Sequence, residues 1–330
     1  MAIAPLAVTP SRLRRLLPFR SLEFLGTGSV GSDYLDVIVR RGEEPEASEA
    51  LAGYLAGGKL MLELTQINQR SCAATSLATR LRERGWRVSE TTTDVCPFIT
   101  LSGHSWHSYL GTLGAKQRYN AESRIKNLDK QFEVRFEQAT SEEQRREFLS
   151  LLLALHHRRW RERGGSTAFH TPGLLAFHEE VSRLALERGW LRLFVLRLDG
   201  GSAAAFYGFR YGRAFYFYQS GFDPCYAKHG VGQATVSLTI KHAIEEDAEE
   251  YDLLHGDESY KFSWTRDVRE LGRVELYPPR VRGLLLQRAI GLSRLARKMG
   301  RRVLPRVVIE WMTAGGEDGF FSKHQAATPR

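Results

Sequence analysis

With 330 residues, about twice the ~150 residues of an ordinary domain, the chain is long enough for two domains and for sizeable cores. Its 42% hydrophobic and 26% charged residues exclude a disordered, collagen-like or multi-span membrane protein. The net charge of +9 is concentrated: between Arg266 and Arg306 twelve Lys/Arg face three acids, a surplus equal to that of the whole chain. That distribution argues for a neutral body with one basic C-terminal appendage, not for a nucleic-acid groove.

Cys72, Cys96 and Cys225 form no C-x-x-C pair and cannot all be paired with one another, which argues against a disulfide framework or structural zinc and for a reducing compartment. From Met1 to Phe19 short apolar pieces are interrupted by Pro5, Pro10, Arg12, Arg14 and Arg15. They are too broken for a signal-peptide core or a spanning helix, and the expected location is cytoplasmic.

Weak alternation over 34–40 predicts a strand, 46–55 a short helix, and 60–64 another strand. A helix over 71–85 follows, with Arg80, Arg82 and Arg84 near its end, where cations complement exposed carbonyls. Residues 105–130 read as helix in two pieces, the second carrying Lys116, Arg118, Arg124, Lys126 and Lys130. Ser141 followed by Gln144 is a capping-box signature ahead of an amphipathic run over 148–160, and Thr171 with Pro172 opens a helix that closes at Gly189.

Three strands then follow, over 190–198, 203–210 and 214–219, separated by the turns Asp199-Gly200-Gly201 and Tyr211-Gly212-Arg213. This is an antiparallel meander. A loop over 220–229 leads to Gly230, Val231, Gly232 and Gln233 at the start of a helix reaching about residue 248, and a short strand over 251–255 comes next. Near the C-terminus Leu285, Ala289, Leu292, Ala296, Met299 and Val303 recur at alternating spacings of four and three, with Arg288, Arg294, Arg297, Lys298, Arg301 and Arg302 mostly opposite. This amphipathic basic helix is expected to dock on the protein's own core with its basic face outward, with contact to an anionic membrane surface as the alternative.

A glycine-rich turn running into a helix leaves unpaired N–H groups facing outward, and small residues let a phosphate approach them. The histidines suggest no metal site: His104 and His107, or His156 and His157, lack a third Asp, Glu or Cys at a completing distance. Cys225 and His229 are four apart, with no third orienting group evident.

The order of meander, glycine loop, helix and strand resembles the second half of the GNAT acyltransferase core. Gly230 and Gly232 match the last two glycine positions of that family's Q/R-x-x-G-x-G/A motif, with Ala227 departing at the first. Residues 251–264, YDLLHGDESYKFSW, resemble the Gly-x-Glu-x-Tyr-Lys-x-x-Trp signature of the CelD-like branch at Gly256, Glu258, Tyr260, Lys261 and Trp264. The resemblance covers about 114–277. It implies an α+β protein of two tandem GNAT-like lobes, each a mixed, mostly antiparallel sheet flanked by helices. A degenerate lobe over 1–113 would precede a catalytic lobe over 114–278, with a basic helix and tail over 279–330.

By the same resemblance, acetyl-CoA or another acyl-CoA is the co-substrate, its pyrophosphate held near Gln219, Lys228, His229, Gly230, Val231, Gly232 and Gln233. Direct transfer from a thioester needs both reactants held close, a proton removed, and the oxyanion and leaving thiolate stabilised. His255, Asp257 and Glu258 are acid/base candidates, Tyr260 a proton donor to the thiolate, and Lys261 a ligand for an acidic group on the acceptor. Each has a plainer reading: His255 as a hydrogen-bonded strand-end residue, Asp257 as a helix cap, Glu258 paired with Lys261, Tyr260 packed with Trp264. The implied acceptor is a small molecule or saccharide, such as an envelope or exopolysaccharide precursor, handled peripherally at the inner membrane surface. Two alternatives stand beside this: Fem-like transfer from aminoacyl-tRNA, the one case in which nucleic acid is expected, and a degenerate scaffold that binds a partner or membrane through the C-terminal helix.

Overall fold

The computed structural model describes residues 1–10, 20–68, 73–161, 169–279 and 283–292. In chain order the elements are β1 (Ala2–Ile3), β2 (Leu6–Pro10), β3 (Arg20–Phe24), β4 (Ile38–Val39), α1 (Glu44–Ala56), β5 (Met61–Asn68), α2 (Ala73–Glu83), β6 (Arg87–Thr100), α3 (Trp106–Thr112), α4 (Ala115–Gln131) and β7 (Val134–Gln138). They continue with α5 (Glu142–Arg161), α6 (Pro172–Glu187), β8 (Leu191–Leu198), β9 (Gly201–Tyr211), β10 (Ala214–Phe222), α7 (Val231–Glu245), β11 (Glu250–Asp252), β12 (Val268–Tyr277) and α8 over 283–292. None of the described helices is long and apolar enough to cross a membrane. Two compact units result: the described residues before Val95 together with those after Arg269, and Val95–Arg269.

In the first unit β2 runs antiparallel to β3, β3 parallel to β5, and β5 antiparallel to β12. The helices α1 and α2 cover this sheet, burying Ala52, Leu55, Ala74, Leu77 and Leu81 with Leu62, Leu64 and Leu276. The strand expected over 34–40 is corrected. Tyr34 has φ 56°, only Ile38–Val39 is extended, and it pairs with β1. Asp36 instead caps α2, its carboxylate accepting the N–H bonds of Ala73 (2.9 Å) and Ala74 (2.7 Å).

The helix α8 corrects a second expectation. It buries Leu286 and Ile290 against Met61 and Tyr277, while Leu285 and Leu292 of the anticipated apolar row are 60% and 67% exposed. A pair four apart is enough to seat three turns on the narrow surface that Met61 and Tyr277 offer. Ala296, Met299 and Val303 lie outside the described residues.

In the second unit the strand order is β6-β11-β10-β9-β8-β7, with β10 and β11 parallel and the other pairs antiparallel. Successive side chains of a strand point to opposite faces, and here both faces are covered. Leu191, Leu193, Val195, Ala205 and Tyr207 meet Phe148, Leu149, Leu152 and Leu155 of α5. Their neighbours Phe194 and Phe206 meet Tyr109 and Leu110 of α3 and Val236 and Ile240 of α7. Double coverage is why 190–198 reads as one apolar run. Thr171 Oγ1 accepts the Leu174 N–H at the start of α6, and Ser141 Oγ that of Gln144 at the start of α5, as their spacing predicts.

Candidate active site

Beyond β10 the chain makes a 3-10 turn, Pro224–His229, begun by the Asp223 carboxylate, which accepts the Cys225 N–H and pairs with Arg158. The turn closes at Gly230, whose φ of 68° makes it both the end of the turn and the N-cap of α7. The amide of Gly230 is not available for an anion, because it donates to the Ala227 carbonyl at 3.0 Å. The Gly230 carbonyl accepts from Gln233 (3.1 Å) and Ala234 (3.0 Å). Among the described residues no backbone partner reaches the amides of Val231 and Gly232, so these first helical N–H groups face the mouth. The Val231 side chain is fully buried and contributes only its backbone, while Gly232 is half-buried, with Phe222 on the side where a Cβ would point.

What lies against Gly230 is a side chain from α4. A Cβ built on Gly230 would stand 2.0 Å from Arg124 Nη1. Glycine here therefore admits a guanidinium to the N-terminus of α7, where the helix dipole already places positive charge. Arg124 has no carboxylate partner among the described residues, and such a juxtaposition of like charge favours a bound anion.

Arg124 borders three hollows. The smaller main cavity, of about 250 Å³, is lined by Ala204, Ala205 and Phe206 of β9, Phe217, Ser220, Gly221 and Phe222 of β10, residues 230–236 in part, and Tyr260. It opens where the parallel pairing of β10 with β11 stops: the ladder runs only from Ala214 to Tyr216, and β10 is irregular between Phe217 and Gln219. A larger cleft of about 1170 Å³ shares Arg124 and Gln233 with it and extends over Thr100, His104, Tyr109, Lys116, Gln117, Asn120 and 262–267. A third hollow gathers Lys228 and His229 with Asn120, Ser123 and Asn127 beside Arg124. Gln219 lines none of these; its side-chain oxygen accepts the N–H of Ser220 at 3.2 Å.

The signature over 256–264 builds a loop clamp. Lys261 is 4% exposed, and its Nζ donates to the carbonyls of Leu254 (3.2 Å) and His255 and pairs with Glu258 Oε2 at 3.1 Å. Those three contacts use its three N–H bonds, leaving none for an acceptor. Gly256 has φ 126°, and a Cβ there would lie 2.3 Å from Glu258 Oε2 and 2.9 Å from Lys261 Nζ. Trp264 is 2% exposed, its carbonyl accepting from the Tyr109 hydroxyl at 3.0 Å. Burial raises the Tyr109 phenol above the ordinary tyrosine range, so it stays protonated as donor. Asp257 and Glu258 are exposed, and with His255 they line neither main cavity; of the expected catalytic group, Tyr260 alone does.

The residues that sequence reasoning passed over are Arg124 and His104. The basic row on α4 pointed to Arg124, although only the fold carries it to Gly230. His104, set aside for want of metal partners, borders the larger cleft with Nδ1 3.1 Å from Ser108 Oγ. Among the described residues no group of three His, Cys, Asp or Glu is placed to hold a metal ion.

Comparison with known proteins bears on the fold of the chain and on the family of its middle segment. Residues 115–262, all within the second unit, match the family described as acetyltransferase (GNAT) domain. None of the curated proteins matches the sequence. Among solved structures, FemX is 10% identical with a TM-score of 0.57, covering 82% of this chain and 83% of its own. A conserved protein of unknown function from Bacteroides thetaiotaomicron VPI-5482 is 13% identical (TM-score 0.53, 83% of each chain). The C-terminal domain of a putative lysylphosphatidylglycerol synthetase from Agrobacterium fabrum is 11% identical (TM-score 0.52, 88% of this chain and 89% of that one). The chain is thus a mixed α+β protein with a GNAT-like fold, its mostly antiparallel sheet flanked by helices and its middle segment matching a GNAT acetyltransferase domain.

Proposed function

We propose that the second unit is an acyl-CoA-dependent acyltransferase that binds the CoA diphosphate at the mouth of α7. The supporting observation is Arg124, a guanidinium without an acidic partner among the described residues, laid on Gly230 beside the amides of Val231 and Gly232. It supplies the positive charge that Ala227 does not, and Lys228 and His229 extend the basic rim. The thioester arm enters the smaller cavity, where β10 and β11 part. A nucleophilic nitrogen or oxygen of the acceptor, entering from the larger cleft, attacks the thioester carbon. The C–S bond breaks, the acyl group passes to the acceptor, and the thiolate takes a proton. Tyr260, bordering the smaller cavity, is the donor to sulfur, and His104, bordering the larger, accepts the acceptor's proton. Lys261, Glu258 and Gly256 hold the loop that carries Tyr260. The resemblance to the CelD-like branch implies a saccharide or envelope-precursor acceptor.

Calorimetric titration with acetyl-CoA and a longer acyl-CoA tests this. Saturable binding of either, abolished by Gly232→Trp in a variant with an unchanged circular-dichroism spectrum, supports the reading; absence of binding by both rejects it. A second reading, Fem-like transfer from aminoacyl-tRNA, is favoured by the exposed Lys116, Arg118, Lys126 and Lys130 on α4. It predicts retention of tRNA with no heat from either thioester.

A further inference from the structure

The third hollow, of about 280 Å³, lies between α4 and the turn that precedes α7. Asn120, Ser123, Asn127 and Gln131 follow one another at steps of three and four, which lines them up along one side of α4, and Lys228 and His229 border the same space from the turn. Among the described residues no carboxylate borders it, and the side chains of these four α4 residues and of Lys228 have no hydrogen-bond or ion-pair partner within the chain. His229 is set edge-on against Phe132, with ring centroids 5.0 Å apart. Carboxamides offer donors and acceptors together, and Lys228 adds a positive charge. Such a lining suits a heteroaromatic base and a ribose that carries an anionic group. The hollow also continues from the mouth of α7, because Arg124 borders both.

From this continuity we infer that the hollow seats the adenosine 3′-phosphate of CoA, Lys228 meeting the 3′-phosphate and the α4 amides the base and ribose. The acyl donor is then a free CoA thioester and not an acyl group carried on the phosphopantetheine arm of a protein. The inference rests on the acyl-CoA reading above and names the form of donor that site takes. In CoA the ribose follows directly on the diphosphate and bears a second anion, so a ligand whose diphosphate sits at Arg124 extends its nucleotide into the space next to it. A phosphopantetheine arm on a carrier protein ends at one phosphodiester. It can use Arg124 and the amides of Val231 and Gly232, but it has nothing to place beside Asn127 and Lys228.

Calorimetry on the full chain compares CoA, dephospho-CoA, which lacks only the 3′-phosphate, and 4′-phosphopantetheine, which lacks the nucleotide. CoA is expected to bind about fivefold or more tightly than dephospho-CoA, the scale of one exposed ion pair, and phosphopantetheine most weakly of the three. Lys228→Ser should bring CoA and dephospho-CoA together, Asn127→Leu should weaken both alike and keep their ratio, and Lys130→Ser, on α4 but outside the hollow, should change neither; all three residues are exposed. Equal binding of CoA and phosphopantetheine, or a preference for CoA over dephospho-CoA that survives in Lys228→Ser, overturns the inference and leaves the acyl-CoA reading in place. Binding of none of the three sinks the acyl-CoA reading itself. If unacylated tRNA, whose terminal adenosine has no 3′-phosphate, binds in their stead, the hollow serves another nucleotide and the inference falls as well.

Discussion

Gly256 stands where the chain crosses the Lys261 ammonium, with φ 126° and a carboxylate and an ammonium in the space a methyl group would take. Alanine there meets both objections, backbone strain of about 1–3 kcal/mol and a collision with the Glu258–Lys261 pair. Gly256→Ala should lower the urea midpoint by an amount of that order and reduce turnover through Tyr260, four residues on; a variant of wild-type stability and activity would refute the clamp. Arg124 poses the opposite case, a residue whose removal leaves no hole in the core. Arg124→Gln should leave the melting temperature within about 1 °C, as for a surface change. Losing a charge-assisted hydrogen bond of about 1.5–3 kcal/mol should weaken CoA binding roughly tenfold to a hundredfold in calorimetry, with Arg124→Lys between the two. These residues differ in how far they could be read ahead. Gly256, Glu258, Tyr260, Lys261 and Trp264 sit within nine positions and announce themselves as a group, but spacing does not say whether a lysine faces substrate or two carbonyls of its own loop. Arg124 is remote in sequence from Gly230, and its meeting with that glycine is a product of packing between α4 and the turn before α7.

Elements whose formation is decided locally were legible, and those decided by neighbours were not. The caps at Thr171 and Ser141 and the apolar runs of β8 to β10 announce their elements, because a side chain three residues ahead or a doubly covered strand leaves its mark in the sequence. β6 carries Ser, Glu, four Thr, Asp and even Pro97, and its first half is mostly exposed; it is a strand because its partners are, as Glu250–Asp252 paired with Phe98–Thr100 shows. The α5–α6 pair carries a pH prediction. Arg145, fully buried, is held by Glu142 and Glu179 and donates to Ser182 Oγ at 2.8 Å. Its hydrogen bonds lower the Glu142 carboxyl to about 2, and Glu179 is lowered by the same guanidinium. His178 on α6, packed among Phe169, Tyr207 and Tyr218, is lowered by burial to about 4. All three groups bind protons more readily unfolded than folded, so each contribution is complete above its unfolded value and drains as pH falls. For His178 the window runs from about 6.5 down to 4 and is worth roughly 3 kcal/mol at most; for Glu142 it runs from about 4.5 down to 2. His178→Phe should flatten the upper limb of a stability-against-pH curve and Glu142→Gln the lower; superimposable curves would count against both assignments. In α8, Leu286→Ala should cost about 2–4 kcal/mol and Leu285→Ala almost nothing, an order the sequence pattern reversed.

Across the whole molecule the charge is divided between two roles that salt can separate. The surplus of +9 arises almost entirely between Arg266 and Arg306, while the site proposed for CoA draws on Arg124, far from that stretch in sequence, and on two main-chain amides. A net positive protein attracts a polyanionic ligand over distances comparable to the Debye length, about 10 Å at 0.1 M salt, and added salt removes that attraction before the ligand arrives. The proposed contact between diphosphate, guanidinium and helix amides would form after arrival, in a half-buried mouth that salt screens far less. Stopped-flow measurement of acetyl-CoA binding should therefore show an association rate that falls several-fold between about 0.05 and 0.5 M salt, with dissociation nearly constant. Replacing Arg294, Arg297, Lys298, Arg301 and Arg302 together by glutamine should lower the association rate at low salt and leave dissociation as it was. Arg124→Gln should do the reverse, speeding dissociation with little change in how steeply association depends on salt. If the five-fold neutralised chain instead releases CoA faster, the C-terminal cations belong to the binding site itself, and the assignment of the anion to the mouth of α7 fails. Equal salt dependence of both rates would overturn that assignment too, because it would mean that the bound diphosphate rests on exposed charge and not on the turn closed by Gly230.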